Sequence, residues 1–272
     1  MKDFTEKVAV ITGGAAGIGR AMAEALASRG AHLVLADIDE QALSEAESDF
    51  SARGIRVLTA ATDVRDRGQV LALADAVYAE FGRADIVCNN AGIAPFGASV
   101  DADPHDWEVT MGINFWGVLH GVDAFVPRML VQGEAGHVVN TASMAGLTGM
   151  LGLGMYCASK FAVVGLSESL HRELHGRGVG VSVLCPMIVD TQIGSNSQRL
   201  LDHAMPDPQV GKEDSPNLLA GTVIPAAEVA KRVIRAVERE DLYIFTHPEQ
   251  REILRRRAAR QDAMFEADMW AL

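Results

Sequence analysis

The sequence predicts an α/β fold: a single Rossmann-type, doubly wound parallel sheet of about seven strands, with helices on both faces. Short apolar runs rich in β-branched residues alternate with segments of helical periodicity along most of the chain. A glycine-rich turn, Gly13 to Gly19, joins the first apolar run to the first helical segment. Three successive helical segments end at a glycine, namely Gly30, Gly54 and Gly82, which is typical of a left-handed helix cap.

The predicted strands are short and almost wholly apolar, as expected for strands that are covered by helices on both faces. Strands that alternate with helices in this way favour parallel pairing with right-handed crossovers. In chain order, the predicted strands cover Lys7–Thr12, His32–Asp37, Arg56–Thr62, Asp85–Asn89, His137–Thr141, Val181–Cys185 and Leu242–Thr246.

Helices are predicted between these strands. Asp103 and Pro104 combine an N-cap with a proline at the first helical position, so they open a long helix. Between Gln192 and Pro225 the polarity is mixed and prolines recur, so we expect a long loop there. The first predicted helix runs from the glycine turn to Gly30. The other predicted helices cover Asp39–Arg53, Asp66–Phe81, Asp103–Leu130, Met155–His175, Ala226–Arg239 and a segment from Pro248 onward.

Length and composition favour one domain that spans residues 1–272, with no linker or repeat inside it. The formal net charge of −12 argues against nucleic acid as a partner. No apolar run approaches the ~18 residues of a membrane span, and the start of the chain enters a strand pattern directly, so we expect a cytoplasmic protein without a membrane contact. Cys88, Cys157 and Cys185 lack metal-ligand spacing and are interpreted as buried free thiols.

Tyr156 and Lys160 are four residues apart, so they lie on the same face of a predicted helix. At a separation of ~4 Å and an effective dielectric constant of ~20, an ammonium would stabilise a phenolate by roughly 4 kcal/mol. That energy corresponds to a tyrosine pKa lowered by about three units. Ser143 follows a predicted strand and is placed to hydrogen-bond the same oxygen, so we expect a site that moves a proton on and off an oxygen. The tyrosine–lysine spacing alone also fits an ordinary surface pair.

The turn that contains Gly13, Gly17 and Gly19 lies between a strand and a helix, where backbone N–H groups bind a dinucleotide phosphate. A glycine turn shaped only for packing is the alternative. Asp37 follows Gly19 by eighteen residues, where an acid binds ribose hydroxyls. A 2′-phosphate beside this carboxylate would be repelled by roughly 4 kcal/mol per charge. Because no lysine or arginine precedes Gly17 in the turn or directly follows Asp37, we predict NAD rather than NADP.

Taken together, the motifs resemble those of the short-chain dehydrogenases/reductases over roughly residues 5 to 191. The resemblance implies hydride transfer between NAD and an alcohol or ketone. This family usually has glycine after the proline where this chain has Met187, which puts the local backbone in question. The motifs that carry the resemblance are Thr12-Gly13…Gly17-Ile18-Gly19, Asn89-Asn90-Ala91-Gly92, Asn114, Ser143, Tyr156-x-x-x-Lys160 and Pro186…Thr191.

The resemblance also implies roles for single residues. Tyr156 would be the general acid/base, with Lys160 lowering its pKa and Ser143 orienting the substrate oxygen. Asn114 would anchor a water of a proton relay. The residues implied to contact the cofactor are Gly13, Gly17, Ile18, Gly19, Asp37, Ile38, Asp63, Val64, Asn90, Tyr156, Lys160, Val189 and Thr191.

The leading functional interpretation is an NAD-dependent secondary alcohol dehydrogenase or ketone reductase. Residues 192–225 would form a substrate-binding lid. A bulky apolar substrate is weakly favoured by methionines that lie near the site in the sequence; these are Met144, Met150, Met155, Met187 and Met205. Three alternatives stay open: a carrier-linked 3-ketoacyl reductase, a catalytically silent NAD-binding regulatory protein, and a lyase or epimerase that uses the same tyrosine and lysine.

The resemblance further suggests a homo-oligomer, either a homotetramer or a dimer. The contact would be formed by the helices Asp103–Leu130 and Met155–His175. His171 and His175 are four residues apart on one of these helices, but no third ligand is evident. We therefore expect no metal site.

Overall fold

The computed structural model describes residues 1–201 and 221–266. Seven strands form one parallel sheet in the order β3-β2-β1-β4-β5-β6-β9, which confirms the predicted fold class. The strands are β1 (Val8–Thr12), β2 (His32–Asp37), β3 (Val57–Ala61), β4 (Ile86–Asn89), β5 (Gly136–Thr141), β6 (Val179–Cys185), β7 (Val189–Asp190), β8 (Ile224–Pro225) and β9 (Tyr243–Phe245). The short strands β7 and β8 pair with each other outside the main sheet.

Helices connect the strands and cover both faces of the sheet. They are α1 (Gly17–Ala27), α2 (Glu40–Ala52), α3 (Arg67–Phe81), α4 (Pro104–Met111), α5 (Gly117–Gln132), α6 (Gly154–Glu173), α7 (Ile193–Leu201), α8 (Ala226–Arg239) and α9 (Arg251–Glu266). No helix within residues 1–201 and 221–266 is long and apolar enough to cross a membrane. The single domain over residues 1–272 and the homo-oligomer stay predictions.

Side chains alternate between the two faces of each strand, so the core has two layers. Ala9 and Ile11 of β1 face the layer that contains α1, α2 and α8. Val8 and Val10 of the same strand face the layer that contains α3, α5 and α6. Both faces of β1 are therefore buried, which is the reason for its uninterrupted apolar sequence.

The strand order reverses at β1, which pairs with β2 on one side and with β4 on the other. Such a reversal opens a crevice at the carboxyl ends of the two central strands. Thr12 lies at this point, and its hydroxyl accepts the backbone N–H groups of Asn90 at 2.9 Å and Ala91 at 3.2 Å. The glycine turn is thereby held beside the segment that follows β4.

The prediction of one continuous helix over Asp103–Leu130 is wrong. The helix begins as expected, with the Asp103 carboxylate accepting the N–H of His105 at 2.8 Å. A π-helical turn, Gly112–Trp116, then separates α4 from α5. Glycines at both ends allow it to lie close to Arg65 and Val64, where an added Cβ would approach their side chains to 3.3 and 2.7 Å respectively. Periodicity reveals a helix, but it does not reveal one inserted residue.

The prediction of an irregular loop over residues 192–225 is also wrong in part. Its beginning forms α7, and its end forms β8, in which Ile224 pairs with Val189 of β7. Leu201, at the end of α7, is buried in the main core. One buried leucine among polar residues is too weak a pattern to indicate a helix. Residues 202–220, which include Met205, lie outside the described residues.

Polar groups are buried at the end of the sheet opposite the crevice. Asp85 accepts the N–H of Val8 at 2.9 Å and pairs with Lys7 at 3.4 Å. His137 at the start of β5 bonds through Nε2 to the hydroxyl of Ser182 at 2.8 Å. Burial lowers the pKa of His137 to about 3, so this imidazole is neutral at physiological pH.

Candidate active site

A cleft of about 970 Å³ opens at the carboxyl ends of the central strands. Its walls come from the glycine turn, from the segments that follow β2 to β6, and from α6 and α7. Two predicted site residues, Gly19 and Asn114, are not among the described residues that line it. The predicted residues that do line the cleft are Gly13, Gly17, Ile18, Asp37, Ile38, Asp63, Val64, Asn90, Ser143, Tyr156, Lys160, Val189 and Thr191.

The glycine turn fits a phosphate group. Gly13 and Gly17 have φ values of +61° and +52°, a conformation that favours glycine. Helix α1 starts at Gly17, and no described side chain caps it or places an acid in its first turn. Its free N–H groups and the positive end of its dipole therefore face the cleft, as an anion requires.

Gly19 serves the packing of this turn and does not face the cleft. An added Cβ there would lie 2.0 Å from the carbonyl oxygen of Gly13 and 2.8 Å from Nδ2 of Asn90. The Asn90 amide donates to the carbonyls of Thr12 at 3.1 Å and Gly13 at 3.3 Å. Its Oδ1 accepts the Thr141 hydroxyl at 3.3 Å, so Asn90 joins the turn to β5.

Asp37 ends β2 with its carboxylate at the cleft. One oxygen accepts the N–H of Ala15 at 3.2 Å and the other accepts the N–H of Asp39 at 3.2 Å. These bonds tie the acid to the glycine turn on one side and to the start of α2 on the other. Ile38 beside it is 46 % exposed and also lines the cleft.

Two arginines at the cleft were missed by sequence reasoning. Arg65 binds Asp63, with 2.6 Å between Nη2 and Oδ2. Burial alone would raise the pKa of Asp63, but the hydrogen bonds and charge of Arg65 lower it overall. Arg199 of α7 pairs with Asp39 at 3.2 Å. The spacing of Asp63 and Arg65 could have signalled the first pair; the chain offers no local signal for the second.

Ser143, Tyr156 and Lys160 lie together and are all buried. The Lys160 ammonium is 5.7 Å from the centroid of the Tyr156 ring and donates to the carbonyl of Thr141 at 2.8 Å. The Ser143 hydroxyl accepts the N–H of Ala145 at 3.1 Å and donates to the carbonyl of Pro186 at 3.3 Å.

The expected lowering of the Tyr156 pKa is absent from the structure. Burial raises the pKa of the phenol to about 12, although a hydrogen bond with Ser143 acts in the opposite direction. Burial also lowers the pKa of Lys160 to about 8. Desolvation disfavours both charged forms. It outweighs the attraction expected from the sequence, and the ammonium is bonded to Thr141.

Asn114 lies beneath the catalytic candidates. Its Oδ1 accepts the N–H of Ile93 at 2.9 Å, while its Nδ2 donates to the carbonyl of Ile93 at 2.9 Å and to the Ser159 hydroxyl at 3.0 Å. An added Cβ at Gly92 would be 3.1 Å from Asn114 Oδ1 and 3.4 Å from Lys160 Nζ. The amide thus holds the backbone below Lys160, and the water-anchoring role of Asn114 stays a prediction.

The part of the cleft near Tyr156 is apolar. Phe96, Met150, Leu153 and Met187 line it and belong to the same hydrophobic cluster as the tyrosine. Of the other methionines considered in the sequence, Met144 and Met155 are not among the described lining residues.

Comparison with known proteins identifies the family. A family model described as short chain dehydrogenase matches residues 7–200. The chain therefore belongs to the short-chain dehydrogenases/reductases, a family of oxidoreductases, as the motifs predicted.

Individual relatives are similar over different shares of the chain. Over 190 residues the chain is 38 % identical to the probable oxidoreductase EphD of Mycobacterium tuberculosis; the alignment covers 70 % of this chain and 32 % of EphD, about a third of that relative. It is 36 % identical to 1-deoxy-11-beta-hydroxypentalenate dehydrogenase of Streptomyces avermitilis over 88 % of this chain and 84 % of that protein. The crystal structure of a Burkholderia phymatum short-chain dehydrogenase/reductase in complex with NAD superposes with a TM-score of 0.87 at 39 % identity, covering 97 % of both chains.

Proposed function

We propose that this protein transfers a hydride between NAD(H) and a secondary alcohol or ketone that carries a bulky apolar group. The observation that carries the proposal is the shared cleft: a buried phenol, hydroxyl and ammonium line one part of it, and a glycine turn with Asp37 lines another. The first set suits proton transfer at an oxygen. The second set suits a dinucleotide.

Three features support NAD over NADP. The Asp37 carboxylate faces the cleft, where it would hydrogen-bond ribose hydroxyls and repel a 2′-phosphate. Among the described residues that line the cleft, the arginines are Arg65 and Arg199, and they are already paired with Asp63 and Asp39. The similar structure from Burkholderia phymatum is described as a complex with NAD.

When bound, the nicotinamide would supply the acceptor or donor of the hydride. Because the pKa of Tyr156 is raised to about 12, the phenol is protonated at neutral pH and suited to give its proton to a ketone oxygen. The Ser143 hydroxyl would hydrogen-bond the same oxygen. In the direction of oxidation, the phenol must first lose its proton, and the Lys160 charge favours the phenolate that forms.

The substrate class is inferred from the apolar side chains beside the phenol. Phe96, Leu153, Met150 and Met187 offer an apolar surface, and the two methionines can adapt to irregular shapes. The name of the Streptomyces relative also denotes a dehydrogenase of a hydroxylated compound.

The test follows nicotinamide absorbance with wild type across secondary alcohols and ketones of graded apolar bulk, each with NAD and with NADP. Turnover should be higher with NAD and with the bulkier apolar substrates. Tyr156→Phe should bind NADH as wild type does and lose nearly all turnover. Binding of NADH without turnover of any compound would favour a regulatory protein. Activity confined to carrier-linked ketones would favour the ketoacyl reductase, and wild-type turnover by Tyr156→Phe would refute the proposed chemistry.

A further inference from the structure

The peptide unit between Pro186 and Met187 is held on both of its polar sides. Its carbonyl oxygen accepts the Ser143 hydroxyl at 3.3 Å and the N–H of Met144 at 2.9 Å. Its N–H donates to Nδ1 of His247 at 3.3 Å. A single peptide plane therefore connects the serine in the cleft to a histidine that follows β9.

His247 is buried, being 3 % exposed, and is not among the described residues that line the cleft. The N–H of Met187 can only donate, so Nδ1 of the imidazole must accept. Nε2 then carries the proton and donates to the carbonyl of Thr222 at 2.9 Å. The Thr246 hydroxyl lies 2.6 Å from Nδ1 and, with the proton on Nε2, donates to the same nitrogen as the N–H of Met187. These contacts fix the orientation of the ring.

The segment that begins at residue 221 is bonded to the surroundings of His247 as well. The N–H of Thr222 donates to the Glu249 carboxylate at 3.2 Å. Two residues later, the N–H of Ile224 donates to the carbonyl of Ile188 at 3.1 Å, beside the β7–β8 pair. His247 thus lies between two chain segments that are also bonded to each other.

We propose that His247 is a positioning residue for the reaction: it orients the Pro186–Met187 peptide and, through that carbonyl, the Ser143 hydroxyl. The inference rests on the proposed function. Without an acceptor at Nδ1, the N–H of Met187 would have to find another partner by rotation of the peptide plane. Rotation would move the carbonyl away from Ser143 and leave the hydroxyl less well placed toward the oxygen of Tyr156.

Two substitutions of His247 test the contributions of its two ring nitrogens separately. In His247→Asn, the amide oxygen can take the place of Nδ1 and keep the bond from Met187. In His247→Gln, the longer amide can keep the donor to Thr222 but leaves Met187 without its acceptor. We expect His247→Gln to lower kcat about tenfold with NADH affinity within about twofold of wild type, and His247→Asn to keep kcat within about threefold.

The pH profile gives a readout that a purely structural role would not move. A hydrogen bond with Ser143 lowers the pKa of Tyr156, and the single Ser143 proton makes it only when it turns from the Pro186 carbonyl to the phenolate. Displacing the Ser143 oxygen should therefore shift the tyrosine limb of the profile to higher pH in His247→Gln. The other ionisable groups facing the phenol, Lys160, Cys157 and Cys185, are unchanged in this variant. In a Ser143→Ala background, His247→Gln should cause no further loss of kcat, because the two residues act through the same contact.

Ser182→Ala is the matched control, since its buried hydroxyl bonds His137 of β5 at 2.8 Å and donates to the carbonyl of Asp241, which precedes β9, at 2.6 Å. It should lower the unfolding midpoint without changing kcat or the pH profile. The inference is overturned if His247→Gln keeps the wild-type kcat and profile, or if the Ser143→Ala background shows a full additional loss. If His247→Gln does not fold, His247→Asn decides: near wild-type kcat supports the inference and a tenfold loss overturns it. Failure of wild type to bind NADH or turn over substrate would instead refute the proposed function.

Discussion

The ammonium of Lys160 donates a hydrogen bond to the carbonyl of Thr141 at 2.8 Å, at the carboxyl end of β5. The lysine is therefore anchored to the sheet, below the ring of Tyr156. Burial shifts both residues away from their charged forms, with a pKa of about 8 for Lys160 and about 12 for Tyr156. The two directions of the proposed reaction need opposite protonation states of the phenol, so they should respond differently to pH.

Alcohol oxidation needs the phenolate as proton acceptor, whereas ketone reduction needs the protonated phenol as donor. Below a pKa of about 12, the phenolate fraction of Tyr156 rises about tenfold per pH unit, so kcat/KM for oxidation should rise with pH up to about 8, where Lys160 begins to lose the charge that favours the phenolate. Reduction should stay level through neutral pH and decline above about 8, where Lys160 loses its charge. Profiles of kcat/KM in both directions check this, because they report groups of the free enzyme. An oxidation profile that already levels off below neutral pH would contradict it.

His137 should make the fold sensitive to acid. Its pKa is lowered from 6.5 to about 3 by burial. Below about pH 6.5 this histidine is therefore protonated in the unfolded chain but stays neutral in the folded chain. The free energy of unfolding should therefore fall as pH decreases through this window, by at most roughly 1.4 kcal/mol per pH unit from this residue. Above about 6.5 both states are neutral and the contribution is complete.

Urea unfolding at several pH values between about 7.5 and 4 measures this effect for wild type and His137→Gln. Glutamine can keep the bond to Ser182 and cannot ionise. The free energy of unfolding should depend less steeply on pH in the variant. The difference in slope should correspond to at most one proton taken up per molecule on unfolding. Parallel curves for the two proteins would show that His137 does not control the acid response.

The parts of the molecule that follow from local pattern could be predicted from the sequence. The strands of the main sheet are marked by apolar runs, and the Asp103 cap and the glycine turn carry their own chemical signals. Other elements, among them the π-helical turn and α7, could not be predicted in this way. The π-helical turn adds one residue to an otherwise regular helix. Helix α7 is held by distant contacts, such as the bond from the N–H of Ala94 to the Ser197 hydroxyl at 2.8 Å.

The candidate active site, like the fold, could be predicted only in part from the sequence. Motif spacing indicated which residues lie at the cleft, but it gave no measure of their burial. The sign of the tyrosine pKa shift was therefore predicted wrongly, because the desolvation of Tyr156 and Lys160 depends on everything that covers them. His247 could not be identified either: its partner Met187 is 60 residues away in the chain.

Asp37 should determine the choice between NAD and NADP. Its carboxylate also accepts two backbone N–H groups, so Asp37→Asn is the substitution that removes the charge while keeping an acceptor. The ratio of kcat/KM for NAD to that for NADP should fall at least about tenfold, because repulsion of a 2′-phosphate is worth up to roughly 4 kcal/mol. Adding Ile38→Arg at the neighbouring exposed position should lower the ratio further. An unchanged ratio in both variants would remove Asp37 from the cofactor site.

The ion pair between Arg199 and Asp39 should slow the release of cofactor. Arg199 lies on α7, which lines the cleft. Asp39 caps the start of α2 two residues after Asp37, so the pair joins α7 to the segment that follows β2. Arg199→Ala is preferred over a change at Asp39, because the Asp39 carboxylate also accepts the N–H of Ala42. An exposed pair contributes about 0.2–1 kcal/mol, so NADH should dissociate up to about fivefold faster from the variant.

Stopped-flow dissociation of NADH at low and high salt measures this effect. Salt should accelerate release from wild type toward the rate of Arg199→Ala and should have little influence on the variant, because the screened interaction is already absent there. Arg128→Ala is the matched control, since it removes another exposed pair, with Asp75 at 2.6 Å, outside the described lining of the cleft. Its release rate and salt dependence should equal those of wild type. If both arginine variants release NADH at the wild-type rate, the pair does not restrain the cofactor and α7 must be held by its buried contacts, the Ser197 hydroxyl and Leu201.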